Sequence, residues 1–148
     1  MNQILFATDA SVSAERAKDM VRHLLKSWPQ AKLTVLYVTR SLNAYEPASD
    51  ESLDAERATF KGVQELAEGE WFSDFAGRVQ CKHVYGEPAM VISLEAKEHG
   101  ADLIVLGGRA VGQPDPLLTG SVSHGVLYIS QVPVLVVKGD TAPEFAAV

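Results

Sequence analysis

Short apolar runs alternate along this chain with stretches in which apolar residues recur every three or four positions. Ile4-Leu5-Phe6-Ala7 is a continuous apolar run, the pattern of a buried strand. From residue 13 to 28, Ala14, Ala17, Val21, Leu24 and Trp28 fall on one helical face, and Pro29 ends that helix. Residues 33–38 (Leu-Thr-Val-Leu-Tyr-Val) are rich in β-branched side chains and predict a second strand. Residues 39–50, with Asn43, Pro47 and Ser49, read as a loop. A helix is expected over residues 52–68, with Phe60, Val63 and Ala67 on its inner face. Trp71, Phe72 and Phe75 come next, and they either extend that packing face or line a ligand site.

Residues 78–85 predict a third strand. Gly86-Glu87-Pro88 then opens a helix, because proline at a first-turn position gives up no needed hydrogen bond. Ala89, Ile92 and Ala96 share a face, with His99 at the end of the stripe and Gly100 as the residue that stops the helix. Residues 103–106 (Leu-Ile-Val-Leu) form a fourth, fully apolar strand. A glycine-bearing loop spans residues 107–120, a short helix is expected over 121–130, and Val134-Leu135-Val136-Val137 is the fifth strand. Strand–helix alternation of this kind predicts a doubly wound α/β sheet, mostly parallel, with helices on both faces. Strands four and five lack polar alternation, as strands covered on both sides do.

At 148 residues the chain is one domain, expected over residues 1–140, with 141–148 as a loose tail containing Pro143. A net charge of −6 argues against nucleic-acid binding and against docking on an acidic membrane surface. No apolar run approaches the ~18 residues of a membrane span. The opening residues lack the basic segment of a signal peptide, so a cytoplasmic protein is expected. Cys81 stands alone, which excludes an intrachain disulfide and a multi-cysteine metal site. Mid-strand, it reads as a small buried or half-buried residue. The histidines, His23, His83, His99 and His124, include no pair at helical metal-ligand spacing, so no metal site is expected; His124 reads as a helix-surface residue.

Ligands of open α/β sheets bind beyond the carboxyl ends of the strands. The residues there are Thr8, Asp9, Ala10 and Ser11 after strand one, Thr39 after strand two, and Gly107-Gly108-Arg109-Ala110 after strand four. Gly120-Ser121-Val122-Ser123 stands at the expected start of the last helix. Two readings are open. A phosphate site would use close approach at Gly107, the charge and planar fork of Arg109, and the free N–H groups and hydroxyls of residues 120–123, with Asp9 accepting from a sugar hydroxyl. Alternatively, Ser121 and Asp9 only cap helices and Gly107 only turns the chain.

The order and spacing of several segments are similar to those of the universal stress proteins, over residues 2–138. They are Ile4-Leu5-Phe6-Ala7-Thr8-Asp9-Ala10-Ser11, Gly86-Glu87-Pro88-Ala89, Ala101-Asp102-Leu103-Ile104-Val105-Leu106-Gly107, Gly120-Ser121-Val122-Ser123 and Val132-Pro133-Val134-Leu135-Val136-Val137. The resemblance implies strand order 3-2-1-4-5 and a homodimer joined through strand five. Nucleotide-binding members carry a loop of Gly, two residues, Gly, nine residues, Gly, then Ser or Thr. Here Gly107 and Gly120-Ser121 fit its ends, and Ala110 stands where the middle glycine would be; Pro114-Asp115-Pro116 lies within the loop. The resemblance implies an adenine nucleotide, ATP or else AMP or ADP, with Mg2+ only as its counter-ion. Asp9 would sit near ribose or adenine, the Val38 backbone at the adenine edge, Ala7 and Leu106 as apolar walls, and Gly107, Arg109, Ala110, Gly120, Ser121, Val122 and Ser123 around the phosphates. The implied role is regulatory or protective, with slow hydrolysis at most.

Neither a nucleophile elbow, a Walker A loop nor a dinucleotide fingerprint occurs, and Asp9 lacks the acidic partner of a phosphoacceptor. The second reading is a dimeric interaction module that has lost its nucleotide. A small-molecule enzyme is a third, and no nucleophile–base pair supports it.

Overall fold

The apolar runs pair side by side into one five-stranded sheet in the order β3-β2-β1-β4-β5, as the resemblance implies. The computed structural model describes residues 1–8, 12–40, 50–107 and 116–138. The strands are β1 (Gln3–Ala7), β2 (Lys32–Arg40), β3 (Val79–Gly86), β4 (Leu103–Gly107) and β5 (Val134–Val137). The helices are α1 (Val12–Ser27), α2 (Asp50–Leu66), α3 (Pro88–Glu98) and α4 (Pro116–Ile129). All four strand pairings are parallel. The expected tail, residues 141–148, lies outside the described residues.

Two cores flank the sheet. On one face Ala17, Val21 and Leu25 of α1 and Val63 of α2 pack on Ile4, Phe6, Val35 and Val105. On the other, Ala89, Ile92 and Ala96 of α3 and Val126 of α4 pack on Leu5, Leu36, Ile104 and Leu106. The side chains of successive strand residues alternate between these faces, so the apolar runs are needed on both. The inner face of α1 is completed by Leu25, fully buried, whereas Trp28, expected inside, is 39% exposed one residue past the helix end.

α2 does not end in a simple stop. A π-helical turn, Ala67–Trp71, succeeds it, closed by Phe72 N–H donating to Ala67 O at 2.8 Å, and a 3₁₀ turn, Ser73–Phe75, comes next. The wide turn lets the consecutive residues Trp71 and Phe72 both point inward, with Phe75 beside them. Phe72 meets Phe6 edge-on, centroids 6.2 Å apart. The three aromatics are therefore core, which settles the alternative left open by their spacing.

Arg78 fixes the return to the sheet. Its Nε donates to Ala31 O at 2.9 Å, and its Nη2 donates to Leu25 O and Trp28 O at 2.9 and 2.7 Å. The guanidinium thus ties the end of α1 to the segment that leads into β2, sharing Trp28 O with the Ala31 N–H.

The Gly86-Glu87-Pro88-Ala89 segment has a structural explanation. Gly86 has φ +145°, a conformation that favours glycine, and a Cβ there would lie 2.6 Å from Val91 Cγ2. Glu87 is the N-cap of α3, Pro88 opens its first turn, and Ala89 is buried against α4. Gly100, at φ +63°, comes after the C-cap His99 as expected; His99 itself is exposed rather than on the packed stripe. Asp102 Oδ2 accepts from the backbone N–H groups of Asn2 and Gln3 at 2.6 and 2.9 Å, pinning the start of β1.

Candidate functional site

Strand order reverses between β1 and β4: the chain runs outward from β1 through β2 to β3, then returns to β4 on the other side. The crevice beyond the carboxyl ends of β1 and β4 is thus the switch point where such sheets bind ligands. Ala7 ends β1 and is in register with Leu36 of β2 and Leu106 of β4. Thr8 continues the line, its N–H donating to Leu36 O at 3.0 Å. Gly107 ends β4, half-buried.

The structure brings together four of the expected residues. Ala7, Val38 and Val122 are half-buried and pack on the core cluster that contains the buried Leu106. They come from β1, β2, α4 and β4, and all lie on the α3/α4 side of the sheet. Ser123, the next residue of α4, is also half-buried. Leu106 is buried, and Ala7, Val38 and Val122 keep part of their apolar surface exposed, so the wall they make is apolar. None of these side chains is ionisable at neutral pH, so this wall contributes shape rather than acid–base chemistry.

Asp9, Arg109 and Ala110 lie outside the described residues. Gly120 and Ser121 lie in α4, but not at its start. The helix begins at Pro116 rather than at residue 121, so the first-turn N–H groups without helical partners belong to residues 117 and 118. Residues 120–123 form the next turn, where N–H groups bond within the helix. The expectation of free N–H groups at 120–123 is corrected accordingly. Pro116 explains the difference, since proline is suited to a first helical position and has no N–H to lose.

Thr39 also differs from expectation. It continues β2, which extends to Arg40, and it points to the opposite face from Val38. There Thr39 Oγ1 donates to Glu56 Oε2 at 2.8 Å, and Tyr37 Oη donates to the same oxygen at 3.0 Å. His83 Nε2 lies 2.7 Å from Thr39 Oγ1. This polar cluster was not visible in the sequence, where Glu56 and His83 are far from residues 37–39 and form no motif.

A separate cleft of about 350 Å³ is lined by Glu15, Lys18, Arg22, Glu70, Trp71 and Asp74. Its cations already have partners: Lys18 pairs with Glu15 and Asp19 at 3.1 and 3.0 Å, and Arg22 with Asp74 at 2.8 Å. No strand end opens into its lining. Cys81 is half-buried as expected, and burial, with Glu68 beside it, pushes its thiol up to about 11. His124 lies exposed on α4. Among the described residues no group of three or more His, Cys, Asp or Glu could hold a metal ion. Nor is any described helix long and apolar enough to cross a membrane.

Comparison with known proteins agrees with this architecture. The model of the universal stress protein family matches residues 1–138. Universal stress protein YxiE of Bacillus subtilis is 35% identical, over 93% of this chain and 99% of that protein. The structure of universal stress protein UspA from Lactobacillus plantarum superposes with a TM-score of 0.76 at 31% identity, over 92% of this chain and 97% of that one. Two more distant structures share the fold and hold adenine nucleotides. One universal stress protein is in complex with cAMP (TM-score 0.71, 22% identity, 94% and 98% covered), and one from Archaeoglobus fulgidus is in complex with dAMP (0.66, 19%, 92% and 97%). With the family model matching nearly the whole length and the sheet order in agreement, the chain belongs to the universal stress protein family.

Proposed function

We propose that this chain binds an adenine nucleotide, ATP in the first instance, in the crevice beyond β1 and β4, and serves a regulatory or protective role in a stress response. The observation that carries the reading is that Ala7, Val38 and Val122, from three separate elements, pack half-buried on the cluster that holds Leu106, on the α3/α4 side of the sheet. Adenine is flat and largely apolar on its faces, and it suits such a wall beside exposed strand-end backbone. Relatives of the same fold that hold cAMP or dAMP support the ligand class. Gly107, Gly120, Ser121 and Ser123, with Arg109 and Asp9, would meet the phosphates and sugar, and Mg2+ would enter only with the phosphates. In this reading the protein is cytoplasmic, hydrolyses ATP slowly if at all, and forms a homodimer through β5. The all-apolar Val134–Val137 is half-exposed at the sheet edge, and an unpaired edge of that kind invites a strand.

A second reading is favoured by one residue. Ala110 replaces the middle glycine of the family's nucleotide loop, and in this reading the chain is a dimeric interaction module without nucleotide. The two separate in one experiment. The purified protein is denatured, released small molecules are identified by mass spectrometry, and the stripped protein is titrated with ATP. Nucleotide near one per chain, or saturable binding abolished by Gly120→Val, supports the first reading. No nucleotide and no binding at millimolar ATP refutes it, and recovery by Ala110→Gly then assigns the loss to that methyl group.

A further inference from the structure

β2 outruns its neighbour β1. The described register between them ends at Ala7 and Leu36, where Thr8 N–H donates to Leu36 O at 3.0 Å. β2 then continues over residues 37–40 with β3 beside it: Tyr37 stands opposite His83, Val38 opposite Val84, Thr39 opposite Tyr85 and Arg40 opposite Gly86. The backbone groups of successive strand residues turn to opposite edges. Lys32 N–H donates to Asn2 O on the β1 side, and Leu33 N–H donates to Arg78 O on the β3 side. By that alternation Leu36 and Val38 both turn their N–H and C=O toward β1. At Val38 this edge lies beyond the last described rung with β1, on the side of the crevice.

The neighbours of Val38 are fixed from the other face of the sheet by one atom. Tyr37 Oη and Thr39 Oγ1, on either side of Val38 in sequence, both donate to Glu56 Oε2 of α2, at 3.0 and 2.8 Å. His83 extends the chain of hydrogen bonds. Its Nε2 lies 2.7 Å from Thr39 Oγ1, and because Thr39 gives its one proton to Glu56, His83 is the donor there. The His83 ring stacks on Phe60 of α2, centroids 5.0 Å apart. An ionised acceptor makes these bonds stronger than neutral ones. α2 thus grips residues 37 and 39, while the Val38 side chain packs on the apolar wall of the opposite face.

We propose that Glu56 is a positioning residue for the base of a bound nucleotide: by holding Tyr37 and Thr39 it sets where the backbone edge of Val38 stands. This rests on the nucleotide reading of the crevice, in which that edge meets adenine. The effect is specific to the base. Adenine carries a donor at N6 beside an acceptor at N1, whereas hypoxanthine carries an acceptor at O6 beside a donor at N1. A fixed peptide edge tells these two orders apart, because the wrong one leaves polar groups unpaired. An edge that drifts by about 1 Å loses that selection. The phosphates, placed in that reading at Gly107 and residues 120–123, are held by other elements and do not sense the change.

ATP and ITP, titrated separately by calorimetry into the stripped full chain and its variants, test this. Wild type is expected to prefer ATP. In Glu56→Ala the affinity for ATP is expected to fall about three- to tenfold, the worth of one well-made hydrogen bond, while that for ITP changes less than about twofold. Glu56→Gln keeps an oxygen that accepts from both hydroxyls and is expected to stay within about twofold of wild type on both nucleotides. A merely structural loss lowers both affinities together, and an unchanged ratio in Glu56→Ala overturns the inference. If that variant fails to fold, Thr39→Val keeps the shape and removes one donor. It is expected to narrow the ratio in the same direction, and a wild-type ratio there is equally decisive against the proposal. A wild type that binds ATP and ITP alike refutes a base edge set by Glu56 and leaves a nucleotide site standing. A wild type that binds neither refutes the nucleotide reading itself, and this inference with it.

Discussion

Gly125 of α4 faces Ala89 of α3 so closely that a Cβ built on it would lie 2.5 Å from the Ala89 Cβ. Ordinary contact between such atoms is about 3.5–4.0 Å, so Gly125→Ala must push the two helices apart by roughly 1 Å. Two effects compete. Alanine is favoured over glycine inside a helix by about 1 kcal/mol, and overpacking of a tight contact costs about 1–3 kcal/mol. Because the opposing atom is a short Cβ next to the α3 backbone rather than the free end of a long side chain, we expect overpacking to prevail. The net loss should be up to about 2 kcal/mol, or up to roughly 8 °C in Tm for a chain of this length. Gly62 in α2 is the internal control, since a Cβ there meets nothing within 4 Å. Gly62→Ala should therefore raise stability by about 0.5–1 kcal/mol. The decisive variant is the swap Gly125→Ala with Ala89→Gly, which restores the missing space. Its coupling energy should be favourable by about 1 kcal/mol or more. Urea unfolding monitored by far-UV circular dichroism measures wild type, the single variants Gly125→Ala, Ala89→Gly and Gly62→Ala, and the swap. If Gly125→Ala proves as stabilising as Gly62→Ala, or the swap shows no coupling, the argument for a close helix contact fails.

Arg78→Ala strips the end of α1 of three charge-assisted donors and should cost about 2–3 kcal/mol in the same assay, with Arg78→Lys recovering only part because a point ammonium cannot span three carbonyls. Asp102 is held below the usual carboxylate range by the N–H groups of Asn2 and Gln3. Its contribution is present above about pH 3.9 and is lost as pH falls through the lower folded value, so Asp102→Asn should flatten the acid limb of the stability profile below pH 4. Cys81, with a thiol pushed up to about 11, should react with iodoacetamide at pH 7.5 far more slowly than an unstructured peptide thiol, and unfolding in urea should abolish the difference.

The chain's strands were legible because the sheet is covered on both faces and its centre must be apolar. Residues 103–106 and 134–137 show this without ambiguity, and β5 coincides with its apolar run. The ends were less legible because a ladder needs backbone groups, not hydrophobic side chains: Thr39 and Arg40 carry β2 past its apolar run by pairing with Tyr85 and Gly86. Helical periodicity places Ala17 and Val21 correctly but sets Trp28 inside where the structure buries Leu25, since neighbouring faces of a helix differ by a fraction of a turn. The last helix was started too late because Gly120-Ser121 resembles a cap, whereas the structure uses Pro116.

At the site, topology alone points to the residues just after the strands, such as Thr8, Thr39 and Gly107, whereas Ala7, Leu106 and Val38 enter only through the resemblance to universal stress proteins. The Glu56–Thr39–His83 chain has no such handle. Its members come from three elements, and only the packing of α2 over β2 and β3 makes them neighbours.

The sheet divides the described molecule unequally. Fifteen buried residues, including the aromatic rings of Phe6, Tyr37, Trp71, Phe72 and Phe75, lie on the α1/α2 side, and eight, none aromatic, lie on the α3/α4 side. The first is a keel and the second a deck. Damage to the keel should unfold the chain, whereas the deck, with its smaller cargo of contacts and with Leu127 and Tyr128 outermost on α4, is the side that can be refitted at lower cost. The wall of Ala7, Val38, Leu106 and Val122 belongs to the deck. A chain that keeps its rigidity below the sheet can change what it carries above it without rebuilding the hull.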